Sequence, residues 1–598
     1  MGKNFYQEDV QRIPEQFEGI QANTCKNPKC KNFGLESPLA RKPTKESQDR
    51  QLSGLRDPFY ALTGLGKDSP GLKCKECSEI IPIKSNEGVF QEKARLGAYL
   101  SSASICCTNK ECENQFKSLS AHPELYFRFG TTNGNQRFQC KLCKRTFSSG
   151  SKRRQQKRSE INRQFYSLIV NKVPINRICE VLDISPATYY HKLDWLYEQA
   201  RGFVREREMK LLQSFESPRM FLSTDRQVHV SNWVSRDDKR NTELQAIGTA
   251  DNRSSYVFGL HFNFDPYVNP ADVEAETLLL DDYSKRIPFR KHARLWLQRD
   301  YEAAQHKREN KLAPQGSLEG DIGAKYLNER HRENIESVEE IDGTVKPPAD
   351  GVLIHSEYTM HGHFHLLNEM LVNVGKVRFY LDQESGIRNA FMSAFKDRVI
   401  DKTADAFYVS VAKELTVNQK EKLIADCYAV IKNTMGVNYR TLSKQEKDAV
   451  LVQMIISEMS KQKSIFDSKE LWLQYPLATM SEPEKKVAAL TDISHLSLEH
   501  QANLYRNSSL HGIDRFFMQA RRRISLFERG IGSGANARRN WYGYSAYRPE
   551  QLIKLAELFR LFYNFIHNRT KDKKTPAMRL GLAKGPVSFE KIIYFDRQ

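Results

Sequence analysis

The chain has 598 residues, enough for several hydrophobic cores, since one core rarely serves more than about 250 to 300 residues. Lys and Arg number 92 against 73 Asp and Glu, a formal charge of +19 that suits a polyanionic partner. No stretch approaches the roughly 18 consecutive apolar residues of a membrane span. The opening MGKNFYQEDVQRIPEQ also lacks a secretory apolar run, so a soluble, cytoplasmic protein is expected and no membrane partner.

Nine of the eleven cysteines lie before residue 150, which argues for a local metal framework rather than scattered disulfides. Cys25 and Cys30 in CKNPKC are followed by Cys74 and Cys77 in CKEC; Cys107 and Cys112 in CTNKEC are followed by Cys140 and Cys143 in CKLC. The pattern C-x4-C then C-x2-C thus occurs twice. Each half offers the four soft thiolates of a closed structural zinc site, so two structural Zn2+ ions are expected, one per ribbon, at residues 1–84 and 85–150. Cys106 is an alternative ligand to Cys107.

Residues 151–205 read as a basic linker and a helix-turn-helix. KRTFSSGSKRRQQKR carries seven Lys or Arg in fifteen residues, including Lys152, Arg153 and Arg154, and favours phosphate contact. Beyond it, Phe165, Leu168 and Ile169, then Ile175, Ile178 and Leu182, have helical apolar spacing. Ser185 before Pro186 supplies an N-cap and an N1 proline, so a last helix starts there. That helix would bring Thr188, Tyr189, His191 and Lys192 to the major groove.

From residue 206 onward the pattern is α/β, with a core at 206–415 interrupted by a charged insertion at 266–350. FLSTDRQVHVSNW reads as a strand with Asp225 near its middle, and ELQAIGTADNRSSYVFGLHFNFD as two more, an antiparallel start. MHGHFHLLNEMLVNVGK reads as a helix, VRFYLDQ as a buried strand ending at Asp382, and ADAFYVSVAKEL as a further strand. Residues 416–505 are expected to be a helical insertion. Residues 506–598 should hold a long basic helix, HGIDRFFMQARRRISLFERG, and an amphipathic tail. Asp225 on a strand, Asp382 at a strand end and an acid on a later helix follow the order of an RNase H-like site. Such a site holds two Mg2+ or Mn2+ ions through hard carboxylate oxygens. His355, His361, His363 and His365 with Glu357, just ahead of the Asp382 strand, read as packing or as assisting a nearby active site rather than as a metal site. Trp541, Tyr542, Tyr544 and Tyr547 with Arg538 and Arg539 suit either a nucleic-acid surface or a core.

These segments resemble the DDE insertion-sequence transposases, whose RNase H-like core is shared with retroviral integrases. The resemblance is carried by Asp225 in FLSTDRQVHVSNW, Asp382 in FYLDQESGIRNAF, IDRFFMQARRR, FRLFYNFIHNR with KTPAMRLGLAKG, and the ribbon ending FQCKLCKRTFS. It implies binding of element ends and target as double-stranded DNA, strand cleavage exposing 3′ hydroxyls, and their joining to target. A homo-oligomer on DNA, associated with the bacterial nucleoid, follows from it. The chain departs from the pattern in having two ribbons, large insertions, and Asp rather than Glu at position 514.

The third acid stays open between Asp514 and Glu528. On one predicted helix they would lie about 21 Å apart along the axis, so only one could reach the metals. Asp514 is preferred, because Arg521 falls on its face where it could hold a phosphate, and because Gly530, Gly532 and Gly534 would end the helix just after Glu528. Two other functions use the same features: a DNA-binding regulator without catalysis, and a metal-dependent nuclease without joining activity.

Overall fold

The structure, a computed structural model, describes residues 13–38, 57–63, 70–101, 107–109, 112–117, 119, 122–132, 135–148, 157–232, 240–303, 346–412, 415–464, 470–528, 531–532, 540–541, 546–568 and 570–595. The chain divides into two compact units. The first comprises Met1–Ala94, Phe215–Gln519 and Arg529–Ile553; the second comprises Arg95–Ser214, Ala520–Glu528 and Lys554–Gln598. Among the described residues, no helix is long and apolar enough to cross a membrane.

Strands β1 (Tyr60–Thr63), β2 (Gly71–Cys74) and β3 (Ile80–Pro82) form a small antiparallel sheet beside the first cysteine pairs. Strands β4 (Tyr126–Thr132), β5 (Asn135–Cys140) and β6 (Thr146–Ser148) form its counterpart beside the second. An eight-stranded mixed sheet follows, from β7 (Ser217–Ser231), β8 (Thr242–Asp251) and β9 (Val257–Phe262). The pair β10 (Phe264–Asp265) and β11 (Val352–Leu353) stands apart from it. The large sheet is completed by β12 (Val374–Asp382), β13 (Ala404–Val411), β14 (Lys463–Ser464), β15 (Leu471–Gln474) and β16 (Lys485–Ala489), in the order β14-β15-β16-β13-β12-β7-β8-β9.

The centre of this sheet is parallel: β12 pairs in parallel with both β7 and β13, and every other pair is antiparallel. A central strand buried on both faces needs a near-continuous apolar run, which VRFYL supplies. Alternation then divides its side chains. Tyr380 joins Phe221, Phe407 and Val409 on one face, packed with Leu451, Ile455, Leu504, Tyr505 and Leu510. Phe379 faces the other way, against Phe364 of the helix Ser356–Met370 and Phe391 and Phe395 around the helix Ser385–Ala394.

Two expectations for this unit change. Residues 416–505 do contain the helices Val417–Met435 and Lys444–Met459, but they also supply β14, β15 and β16, which widen the sheet beyond β13. KKVAA is too short and too basic to signal a strand, yet Val487 and Ala488 are fully buried by pairing with β13 and β15. The described part of 266–350 is also a packed element: Val273, Leu295 and Leu297 share a core with Ile20, Ala22, Val89, Ile354 and Tyr358.

In the second unit the helices Asn162–Ile169, Ile175–Leu182 and Pro186–Gln213 occur in the predicted order. Asp183 replaces the usual turn glycine by adopting the left-handed conformation itself, φ 49° and ψ 58°, which a short polar side chain tolerates. Ser185 caps the third helix by accepting from Thr188 N at 3.2 Å. That helix is 28 residues long, and near its end Glu208 enters a buried ion cluster, where Arg560 donates to Glu208 at 2.6 Å and to Glu557 at 2.7 Å.

Candidate functional site

The two four-cysteine groups are local repeats of one construction. In each, the Sγ atoms of Cys25, Cys30, Cys74 and Cys77, or of Cys107, Cys112, Cys140 and Cys143, lie within 4.8 Å of one another. The cross-pair distances are 3.5 Å for Cys25 to Cys77 and 3.7 Å for Cys30 to Cys74, then 3.3 Å and 3.8 Å for Cys107 to Cys143 and Cys112 to Cys140. Tetrahedral thiolates around Zn2+ at 2.3 Å stand about 3.8 Å apart, so each group fits a closed structural zinc site. Cys107 holds the position for which Cys106 was the alternative, and Cys106 lies outside the described residues.

The repeat extends beyond the ligands. Asn32 Nδ2 lies 3.5 Å from Cys74 Sγ and Asn114 Nδ2 3.4 Å from Cys140 Sγ, each positioned to donate to a thiolate. Tyr60 and Tyr126 each accept from the first cysteine amide, at 3.0 and 3.3 Å. After each C-x2-C turn, Ser78 and Lys144 take the left-handed conformation. These supporting residues were missed, although CKNPKCKN and CTNKECEN share the fuller pattern C-x-N-x2-C-x-N. The Cys140 thiol is pulled down to about 6: burial opposes ionisation, but the amides of Cys143 and Leu142 and the Asn114 side chain outweigh it.

The first cysteine group is built into the large-sheet unit. Glu79 stands 3.7 Å from Cys25 Sγ and accepts from Arg388 Nη1 at 2.6 Å, while Arg388 Nη2 donates to Lys26 O at 3.3 Å. Arg388 belongs to the helix Ser385–Ala394 that follows Asp382. Around it, Tyr358 Oη accepts from Ser85 N at 3.0 Å, Lys84 pairs with Glu357 at 2.9 Å, and Glu92 pairs with Arg294 at 3.2 Å and accepts from Thr359 at 2.9 Å.

Asp225 and Asp382 come together on neighbouring strands. The last registered β7–β12 pair is Thr224 with Leu381, so the next residue on each parallel strand is one of the two acids. Both belong to the face of Phe221, Ser223 and Tyr380. Asp225 is buried and its Oδ1 accepts from Arg226 N at 2.7 Å; Asp382 is half-buried. Beside them Arg226 Nε donates to Glu384 at 2.7 Å and its Nη1 to Ser356 at 3.0 Å. Burial raises the Glu384 carboxyl, against the lowering effect of Arg226.

The helix bearing Asp514 sits on that same face. Ser223 accepts from Ile513 N and Asn252 from Gly512 N, both at 3.1 Å, which satisfies the first free amides of the helix. A Cβ at Gly512 would stand 2.5 Å from Asn252 Oδ1. Gly248, registered opposite Asp225, leaves room for Ile513, whose Cδ1 would be 2.8 Å from a Cβ there. Asp514 and Arg521 are half-buried on this helix.

Glu528 does not share it. The helix His511–Arg523 ends at Arg523, Ile524 is extended, and a short 3-10 turn spans Ser525–Phe527 before Glu528, which is exposed and pairs with Lys172 at 3.2 Å. The helix ends five residues before Glu528, because Ile524 turns inward to bury. Among the described residues, no three carboxylates bring their oxygens within 4.8 Å of one another. Asp251 is occupied by Ser254, through N at 2.7 Å and Oγ at 2.6 Å, and Glu357 by Lys84. Among the described residues the histidines join no group of metal-ligating side chains; His363 bonds Thr249 at 2.7 Å and His261 at 2.8 Å, and His355 stacks on Trp296.

Of the residues expected to enter a groove, Lys192 and Tyr189 are turned inward. Lys192 is buried, its Nζ donating to Lys157 O at 3.0 Å, Arg158 O at 3.1 Å and Asn162 Oδ1 at 2.7 Å. Tyr189 packs edge-on against Phe165. Helical periodicity decides this, since both fall in the stripe of Leu193 and Leu196. Ser185 and Thr188 are engaged in the cap, and His191 is exposed beside Tyr190. Lys152, Arg153 and Arg154 lie outside the described residues, as do Arg538, Arg539, Tyr542 and Tyr544. No protein-family model matches the chain, and no curated protein matches its sequence.

Proposed function

We propose that the chain is a DNA transposase of the DDE type, cutting at element ends and joining them to target DNA through a metal-dependent site on its large sheet. The observation that carries this reading is the juxtaposition of Asp225 and Asp382 on adjacent parallel strands, with the Asp514 helix seated over the same face. The order β9-β8-β7-β12-β13, with only β8 antiparallel to both its neighbours, supports an RNase H-like core.

Asp225, Asp382 and Asp514 offer hard oxygen donors, the chemistry that suits Mg2+ or Mn2+, and would hold the ions there. Bound there, such ions activate an attacking hydroxyl or water and stabilise the leaving oxygen. The protein's own groups keep the donors in place. Arg226 ties the segment after Asp382 to β7 through Glu384, and Ser223 and Asn252 fix the start of the Asp514 helix. The exposed helix face bearing His191 would take duplex DNA, and two zinc ions would stabilise the cysteine units.

A second reading, a DNA-binding regulator without catalysis, is favoured by the lack of a converged three-carboxylate group among the described residues. Mg2+-dependent cleavage by the wild type, lost on Asp382→Asn with DNA binding kept, separates the two; joining of the cut ends separates a transposase from a nuclease.

A further inference from the structure

We propose that the outer face of the β4–β5 hairpin, beside the second cysteine group, is a stacking platform for unpaired DNA bases. Phe127 and Phe129 are 49% and 48% exposed; β4 is irregular between Arg128 and Thr131, and what brings the two rings to one face is that Lys141 and Arg137, which flank Gln139, the register partner of Phe127, reach one ring each. They are not overflow from the core. The opposite face already supplies it through Tyr126, buried and edge-on to Phe147.

Each exposed ring carries a cation. Lys141 Nζ lies 4.7 Å from the centroid of Phe127, and the Arg137 guanidinium carbon 5.6 Å from that of Phe129. The surrounding sequence has one sign: residues 125–159 contain ten Lys or Arg and no Asp or Glu. An acidic protein could match the charge but has no need of two flat rings. Duplex DNA matches the charge but keeps its base faces stacked. A single strand offers phosphates to the cations and open base faces to the rings, which is how aromatic platforms with basic borders hold it. The inference goes beyond the cutting and joining reaction and does not depend on Asp225 or Asp382.

The test uses the full-length protein with its zinc, and a labelled oligothymidylate of about 15 nucleotides beside a duplex of the same length, followed by fluorescence anisotropy. Phe127→Ala with Phe129→Ala should weaken single-strand binding by roughly 30-fold or more, while duplex binding moves less than about 3-fold and the salt dependence keeps its slope. Arg137→Ala with Lys141→Ala should flatten that slope. Phe127→Trp with Phe129→Trp keeps the stacking surface and should retain binding, so it decides the matter if the alanine variant loses zinc. Unchanged single-strand affinity in the alanine variant would overturn the proposal. So would an equal loss on both DNAs, or lost self-association with DNA binding intact.

Discussion

Arg388 Nη1 and Glu79 Oε1 lie 2.6 Å apart in a buried ion pair that joins the first cysteine group to the helix following Asp382. Removing one partner of such a pair leaves a buried charge without its counter-charge, at a cost of about 3 to 5 kcal/mol. Arg388→Met should therefore lower the urea midpoint of the large-sheet unit sharply. Glu79→Gln, which retains a hydrogen-bond acceptor, should cost less. Equal midpoints for both variants and the wild type would show the pair to be idle.

The two cysteine groups should hold one zinc each and answer to different units. Cys74→Ser should remove one zinc and destabilise the large-sheet unit; Cys140→Ser should remove the other and leave that unit's unfolding unchanged. Metal analysis with hydrogen exchange on each variant checks both statements.

Lys192 should behave as a structural residue. Its ammonium satisfies three oxygens inside the second unit, so Lys192→Met should cost about 2 to 4 kcal/mol by leaving buried acceptors unpaired. His191→Ala should leave stability within about 0.5 kcal/mol, since exposed substitutions away from special features do little. Only His191→Ala should change sequence preference in a DNA-binding assay without a change in thermal midpoint.

Buried histidines should make the large-sheet unit acid-labile. Burial lowers His363 to about 3 and holds His361 well below 6.5. Between pH 6.5 and 3 the unfolded chain then binds more protons than the folded one. Stability is complete above pH 6.5 and falls as the pH drops, approaching about 1.4 kcal/mol per pH unit for each histidine once the unfolded side chain is charged. His363→Gln should flatten the decline of the urea midpoint between pH 7 and 5.

Much of this arrangement was legible in the residues. The apolar run VRFYL ending at Asp382, the Ser185-Pro186 cap and the doubled cysteine spacing are local signals with local causes, and each element formed where it was expected. What escaped depends on tertiary partners. KKVAA becomes a strand only because β13 and β15 flank it. Lys192 looks like a groove residue by charge, and only the acceptors Asn162, Lys157 and Arg158 draw it inward. The helix carrying Asp514 ends before Glu528 because Ile524, Leu526 and Phe527 are buried, which a periodicity drawn through RRRISLFERG does not register. The Asn32 and Asn114 supports recur with the cysteines in CKNPKCKN and CTNKECEN, but an asparagine is not itself a zinc ligand and its role depends on the folded position of the thiolate it faces.

Asp382→Asn tests the central proposal most directly, in a cleavage and joining assay with Mg2+ on plasmid DNA carrying the sequences that flank the gene. DNA binding and thermal midpoint are measured on the same preparation. The predicted result is loss of both cutting and joining, by a factor of about a thousand or more, with binding unchanged, because Asn keeps the shape of the side chain but removes the anionic oxygen a divalent ion needs. Cutting and joining by Asp382→Asn at the wild-type rate would contradict the assignment of the site to Asp225 and Asp382.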